Sequence, residues 1–340
     1  MRRSLRLLTP ARVLGALAGL AVVAALVLYL LPSDDYLLLP DKAHPVAPLV
    51  QVKGGHDPKG PGGIYFVDVI ERRASMLESI FPGIHDGATL LPANLIVPPG
   101  VSDAAQRQAD LREMTISQRV AAAVALRRLG YKVTAQPSGV IIAAIDDQSD
   151  AIGKLEPEDV IVAVDGKPTP TIPALRSQVA KARPGQSLSV TVQRGTKKTT
   201  YEVKTMADPQ QKGRSIIGFA PQQSADIELP IPVRIDAGNV GGPSAGLAFA
   251  LEVMEELGHN VTHGYKVAAT GAIELNGAVT PIGGVKQKIF GVRKTGADVF
   301  LVPAGDNAQV ARRYANGVRV IAVKTFPQAL RALATLPRKG

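Results

Sequence analysis

Residues 13–31 run for 19 positions without a charge. As a helix, such a run spans about 28 Å at ~1.5 Å per residue, close to the hydrocarbon thickness of a bilayer. It has no polar face, which argues against a buried core helix. Arg2, Arg3, Arg6 and Arg12 precede it, and Asp34 and Asp35 follow. That charge bias places the amino terminus in the cytoplasm and everything after Leu31 outside. A cleaved signal peptide is the rival reading. The run is longer than a usual signal core and no Ala-x-Ala follows its end, so a retained anchor is expected.

With 46% hydrophobic and 20% charged residues, the chain has material for a core and is not disordered. Its 340 residues suit two or three domains. The formal net charge is +10, and the four arginines at the amino terminus supply part of it. What is left is a mildly basic surface, not the concentrated patch of a nucleic-acid binder, so no nucleic-acid partner is expected. Cysteine is absent, which excludes disulfides, thiolate zinc sites, iron–sulfur clusters and a cysteine nucleophile.

Pro, Gly and Lys are dense from 39 to 63, and 32–45 reads as a linker. Two β-like runs, 46–52 and 64–70, follow. Residues 102–113 and 115–129 read as two helices. In the second, Ile116, Val120, Ala123, Val124 and Leu126 form an apolar stripe, and Gly130 is a stop signal. Between the β-like runs and these helices, 71–100 yields no clear element. From Tyr131 the pattern turns to short strands at 139–145 and 159–164, a helix at 172–182, and strands at 187–193 and 199–204 around Arg194-Gly195. No period of 20–50 residues marks a repeat protein.

Three pieces stand out here: Ser138-Gly139-Val140-Ile141, Ala151-x-Gly153-x-Leu155-x-Pro157-x-Asp159-Val160-Ile161, and Val164-Asp165-Gly166. In order and spacing the segment resembles a PDZ domain of the bacterial protease type. Glu158 departs from it, since that family usually has Gly there. The resemblance implies a sheet edge at 139–143 that accepts an extended peptide. Ser138, Gly139, Val140 and Ile141 would bind it, and the 172–182 helix would form the other wall. A spacer or an intramolecular clamp is the plainer alternative.

The chemistry concentrates between Asp236 and Ala297. In Gly241-Gly242-Pro243-Ser244-Ala245-Gly246, Pro243 suits the first helical position, which makes Gly242 the N-cap. Ser244 then lies one step inside and is not needed as a cap. Backbone N–H groups at a helix start surround its hydroxyl and can stabilise an oxyanion. A serine nucleophile needs a base. His44, His56 and His85 fall in loop-like sequence. His259 and His263 lie beyond Gly258, at the far end of the serine's helix, and lack the Glu of a His-Glu-x-x-His zinc site. Lysine remains. In the helix opened by Gly283-Gly284, Val285, Ile289 and Val292 define an apolar face. Lys288 shares that side and Lys286 the other flank, which favours Lys288 without excluding Lys286. Burial disfavours the ammonium and lets a lysine act as a base.

Pro243-Ser244-Ala245-Gly246, Thr270-Gly271 and Pro281-Ile282-Gly283-Gly284-Val285-Lys286-Gln287-Lys288 together resemble the proteolytic domain of the Lon protease family. That resemblance implies a Ser–Lys dyad, with Ser244 as nucleophile, Lys288 as base and Thr270 orienting the lysine. Gly242, Pro243 and Ala245 would shape the oxyanion site. Gly242 departs from ATP-dependent members, which carry Asp at or near that point, and Gln287 replaces the usual Glu. The order of anchor, PDZ and Lon-like domain resembles the extracytoplasmic YlbL-like peptidases, as does the helix with Met114, Ser117-Gln118 and Ala121. No Gly-x-x-x-x-Gly-Lys-Ser/Thr occurs in the sequence, so no ATP is expected as a partner.

The expected fold class is α+β multidomain. It comprises a basic cytoplasmic segment (1–12), a transmembrane helix (13–31), a linker (32–45), and strands and helices packing on the protease domain (46–129). A PDZ-like β-rich domain (130–206) and a Lon proteolytic domain of the ribosomal S5 domain 2-like α/β type (215–336) complete it. The expected function is a membrane-anchored, ATP-independent serine endopeptidase of the extracytoplasmic side. It would cleave unfolded or exposed segments of protein or peptide substrates, with PDZ-mediated binding and no cofactor or metal. A catalytically silent PDZ adaptor is the alternative, against which the Ser, Thr and Lys set argues. Because Lon-like domains often form rings, a homo-oligomer stays open.

Overall fold

The structure, a computed structural model, describes residues 10–56, 62–97, 102–208, 211 and 213–338. Most of the basic segment 1–12 therefore lies outside the described residues. Eight α-helices are described: α1 Pro10–Leu30, α2 Met76–Ile80, α3 Asp103–Arg128, α4 Ile172–Val179, α5 Gly246–Glu256, α6 Val285–Thr295, α7 Asp306–Arg313 and α8 Phe326–Ala334. None of the α1 residues is buried against the rest of the chain.

The expected linker at 32–45 is instead largely a strand, Pro32–Pro40. It is the middle of a three-stranded antiparallel sheet, between Val69–Ser75 and Thr89–Pro92. Tyr36, Leu37 and Leu38 are all buried, so both faces are covered and no alternation marks the strand. The run expected at 64–70 splits into Gly63–Phe66 and Val69–Ser75, which join different sheets. The run at 46–52 is a 3₁₀ turn, Ala47–Leu49, followed by the short strand Val50–Val52. The two helices expected at 102–129 are one helix, α3. Thr115, where a break was expected, bonds its hydroxyl back to Leu111 O at 3.0 Å and leaves the helix continuous.

A five-stranded sheet organises the carboxy-terminal half. Its order is His44–Pro45, Gly63–Phe66, Lys266–Ala269, Val299–Pro303 and Arg319–Val323, and the last four strands are parallel. Strand Gly63–Phe66 comes from before the PDZ-like segment, so that segment interrupts the sequence of a single sheet. Successive strand residues serve opposite faces. Val267, Ala269 and Leu301 join α3 and α5 in one core, and Ala268, Phe300 and Val302 join α6 and α7 in another.

The PDZ-like unit is a separate sheet, ordered Lys197–Lys204, Ser187–Arg194, Val160–Val164, Thr134–Ile145 and Phe219–Glu228. Its core includes Val140, Ile142, Ile161, Val190 and Val192, with Leu175 and Val179 of α4.

Candidate active site

The loop 239–244 is held along one side by α3. Gly242 N–H donates to Asp110 O at 2.7 Å, Ser117 Oγ donates to Pro243 O at 3.0 Å, and Arg107 donates to Asn239 O. Gly241 passes so close that a Cβ there would come within 2.7 Å of Asp110 Cβ. Gly242 has φ +79 and ψ 157, a region open in practice to glycine alone. The 3₁₀ turn Pro243–Ala245 then leads into α5 and carries Ser244 at its middle.

Opposite stands α6, opened by Gly284 in the left-handed conformation. Lys288 is buried at 3% exposure, and its Nζ donates to Ser244 Oγ at 2.6 Å and to Thr270 Oγ1 at 3.2 Å. Thr270 is wholly buried, and its hydroxyl donates onward to Ser244 O at 3.1 Å. Gly271 N–H reaches the same carbonyl at 2.8 Å. Ser244, Thr270 and Lys288 are thus one connected group drawn from a helix start, a strand end and a facing helix. Burial pushes the Lys288 pKa down to about 8, against the opposing pull of the Asp68 charge.

Lys286 lies outside this group and donates to Ala88 O at 2.8 Å. Gln287 is buried, and its amide donates to Gly87 O at 2.9 Å and Thr89 Oγ1 at 2.8 Å. A carboxylate cannot donate to a carbonyl, so Gln suits this position where Glu would not. His259 and His263 lie in the loop beyond α5.

Asp68 was not anticipated from the sequence. It sits at the break between Gly63–Phe66 and Val69–Ser75 and lines the cleft with Ser244 and Lys288. Burial raises its pKa and the Asp41 charge adds to this, while His44 and Lys288 oppose. Its only sequence signal is an acid inside an apolar run. His44 Nε2 stands 3.1 Å from Asp41 Oδ2 and 3.8 Å from Asp68 Oδ1. These three could ligate a cation, but the His44 ring already has a hydrogen-bond partner in Asp41. The whole cleft encloses about 1010 Å³.

Two expectations need correction. Gly242 N–H cannot serve an oxyanion, because Asp110 O already takes it. And the edge at 139–143 is not open. Strand Phe219–Glu228 pairs along it antiparallel, with Gln222 opposite Ile141, Gln223 opposite Val140 and Ser224 opposite Gly139. Ser138 and Ser224 hydroxyls meet at 3.1 Å. The Gln223 amide donates to Gly139 O at 3.0 Å and Pro170 O at 2.8 Å, and Ile172 N–H donates to Gln223 Oε1 at 3.2 Å. The chain's own strand thus satisfies the backbone groups a peptide would use. Beside it, between α4 and Phe219, a cavity of about 550 Å³ remains. Glu158, the departure from glycine, keeps φ at +75, and its carboxylate lies 3.4 Å from Arg112 of α3.

Residues 216–335 match the family model of the Lon protease (S16) C-terminal proteolytic domain, and residues 127–205 match the PDZ domain model. "Lon protease 2" of Bacillus subtilis is 38% identical over 112 residues, which is 33% of this chain and 19% of the relative. "Lon protease" of Lachnoclostridium phytofermentans is 35% identical over 112 residues, 32% of this chain and 14% of the relative. The chain thus spans less than a fifth of the length of these relatives. The solved PDZ domain of an SdrC-like protein from Listeria monocytogenes covers 27% of this chain and 93% of its own, at 23% identity and a TM-score of 0.24.

Proposed function

We propose that this chain, which joins a PDZ domain to a Lon-type (S16) proteolytic domain, is a membrane-anchored Ser–Lys endopeptidase. The observation that carries the reading is the buried Lys288 amine 2.6 Å from the Ser244 hydroxyl, with a pKa lowered to about 8. Near neutral pH a usable fraction of that amine is uncharged and can accept the Oγ proton. Ser244 Oγ then attacks the scissile carbonyl carbon, and the N–H groups of Ser244 and Ala245, at the start of the helix, receive the oxyanion. Collapse breaks the C–N bond, and the Lys288 ammonium returns its proton to the leaving amine. The same amine then activates water to hydrolyse the acyl-enzyme. Thr270 holds the lysine in place and Asp68 moderates its charge.

The cleft suits an extended or unfolded peptide segment, and the reading is of turnover without ATP, which the test below probes by leaving nucleotide out. Helix α1 has 21 residues and is long and apolar enough to cross a membrane. It runs straight into a paired strand, since Leu31 O accepts Met76 N–H at 2.8 Å and Pro32–Pro40 follows directly. In the folded chain a processing peptidase would find no unpaired segment there, which favours a retained anchor. The arginines before α1 favour a catalytic domain outside the cytoplasm.

The test is cleavage of an unfolded protein by the full chain in detergent without nucleotide. Lys288→Ala and Ser244→Ala should abolish it, and Lys286→Ala should retain most of it. Activity surviving in Lys288→Ala but lost in Lys286→Ala would overturn the assignment.

A further inference from the structure

The segment 75–85 is built inside out for a protein in water. Its polar side chains turn inward. Glu78 is 1% exposed and accepts from Arg72 at 2.6 Å, from Ser75 N–H at 2.9 Å and from Ser75 Oγ at 3.0 Å, with His85 Nε2 at 2.7 Å. Ser75 and Glu78 form a reciprocal capping box that fixes the start of α2. Ser79 Oγ donates to Ser33 Oγ at 2.8 Å and Asp35 Oδ2 at 3.1 Å.

The apolar side chains turn outward. Met76, Ile80, Phe81 and Ile84 are 39–58% exposed. Outside residues 13–31, only eight large apolar residues are exposed among the described residues, and these four fall within nine positions. Scattered exposed apolar residues need no explanation, but a rigid cluster does.

Its position says what covers it. Met76 N–H donates to Leu31 O at 2.8 Å, and α2 packs against the end of α1. The patch therefore begins where the apolar helix stops, at the level of the bilayer surface if α1 spans. We infer that α2 and the following turn, Pro82–Ile84, form a membrane-interface foot that seats Met76, Ile80, Phe81 and Ile84 among the lipid headgroups and upper acyl chains beside α1. Aromatic and aliphatic side chains flanked by polar partners suit that zone.

The foot makes the strand Val69–Ser75 a spacer between membrane and cleft. At its far end Val69 lies against α6, since a Cβ on Gly284 would come within 2.8 Å of Val69 Cγ2. Seven residues of strand at ~3.3 Å each set the Ser244–Lys288 end of the cleft roughly 20 Å from the foot, and the cleft runs along that strand between the two. The substrates favoured by this geometry are extended segments just outside a bilayer. The inference rests on the reading of α1 as a membrane span, and the experiment separates the two.

The chain has no tryptophan, so each introduced indole reports alone. The full chain is reconstituted in phosphatidylcholine vesicles, with and without acyl chains brominated near the headgroup. Four variants are compared: Phe81→Trp and Ile80→Trp in the foot, Tyr29→Trp in α1, and Ile152→Trp on the exposed PDZ surface. The foot and α1 variants should lose about half or more of their emission to bromolipid, as expected for interfacial residues, and Ile152→Trp should lose none. Quenching of Tyr29→Trp without quenching of Phe81→Trp or Ile80→Trp overturns the foot and leaves the anchor standing. Foot variants shielded from aqueous iodide but untouched by bromolipid mean that a second copy or another protein covers the patch, which also overturns it. If Tyr29→Trp is itself unquenched, the anchor fails and the foot with it.

Discussion

Lys288→Met should inactivate the chain and stabilise it. In the native state the amine is shut away from water, and burial pushes its pKa from 10.5 down to about 8. At pH 7 the wild-type chain therefore still holds mostly the ammonium, in surroundings that penalise its charge. The displacement corresponds to about 3 kcal/mol of unfavourable charge burial. Methionine has a similar length and no charge. It forfeits the hydrogen bonds to Ser244 Oγ and Thr270 Oγ1, which costs about 1 kcal/mol. The net gain of about 2 kcal/mol is a rise of roughly 5 °C in Tm for a domain of this size. The folded pKa lies below the unfolded one, so between about pH 8 and 10.5 the unfolded state binds more protons and wild-type stability rises with pH. The variant lacks that rise. Its advantage should be largest below about pH 8 and should vanish toward pH 10.5. Paired thermal unfolding of both proteins in one detergent, at pH 7 and pH 10, reads this directly. A variant less stable than wild type at pH 7, or an advantage that grows with pH, would refute the argument from burial.

Peptide cleavage should rise about tenfold from pH 7 to pH 9 and then level, since the neutral amine is the active form. Replacing both His259 and His263 should leave that midpoint in place, and a rise continuing past pH 10 would mean a solvated lysine. Gln223→Ala should loosen strand Phe219–Glu228, speeding its amide exchange about tenfold for the bonds lost to Gly139, Pro170 and Ile172. Unchanged exchange would show that the Gln223 amide does not hold the groove shut. Gly291→Ala should sharply lower thermal stability, by about 3 kcal/mol or more, because its Cβ would overlap the Asp41 carbonyl oxygen. A near wild-type Tm would show that α6 can shift away from Asp41.

What the sequence disclosed about the candidate site follows from where its constraints lie. Gly and Pro side by side are a local signal of a helix start, so the placement of Gly242, Pro243 and Ser244 can be read from the sequence. The 3.6-residue period around Val285, Ile289 and Val292 sorts Lys288 from Lys286 in the same way, and the structure buries the first and leaves the second bonded to Ala88. Strand pairing is not local. Nothing in 219–228 announces that it lies against 134–145, because half of its residues are polar, most are exposed and the partner is some 80 residues away. Strand Pro32–Pro40 escaped for the opposite reason, being covered on both faces. Asp68 reaches the cleft only because the chain changes sheets at that point, which no periodicity encodes.

The closed groove changes what the PDZ domain can do for catalysis. Strand Phe219–Glu228 leaves the PDZ sheet and runs through Val233–Ile235, which pairs with Val50–Val52, into the loop that carries Ser244. At the other end the PDZ domain meets α3 through Glu158 and Arg112. Two residues before Arg112, Asp110 O receives Gly242 N–H. The PDZ domain thus touches the nucleophile loop by two routes, one covalent and one through α3. Burial raises the Glu158 pKa by more than Arg112 lowers it, so the pair contributes little net stability. A non-glycine residue in the left-handed region costs about 1–2 kcal/mol. Stability therefore gives no reason to prefer Glu over Gly at position 158. Placement does: Glu158 joins the PDZ domain to α3 at Arg112, and α3 in turn bonds Gly242 and Pro243. The PDZ domain, its groove edge paired by Phe219–Glu228, is thus joined both through that strand and through α3 to the loop that carries Ser244.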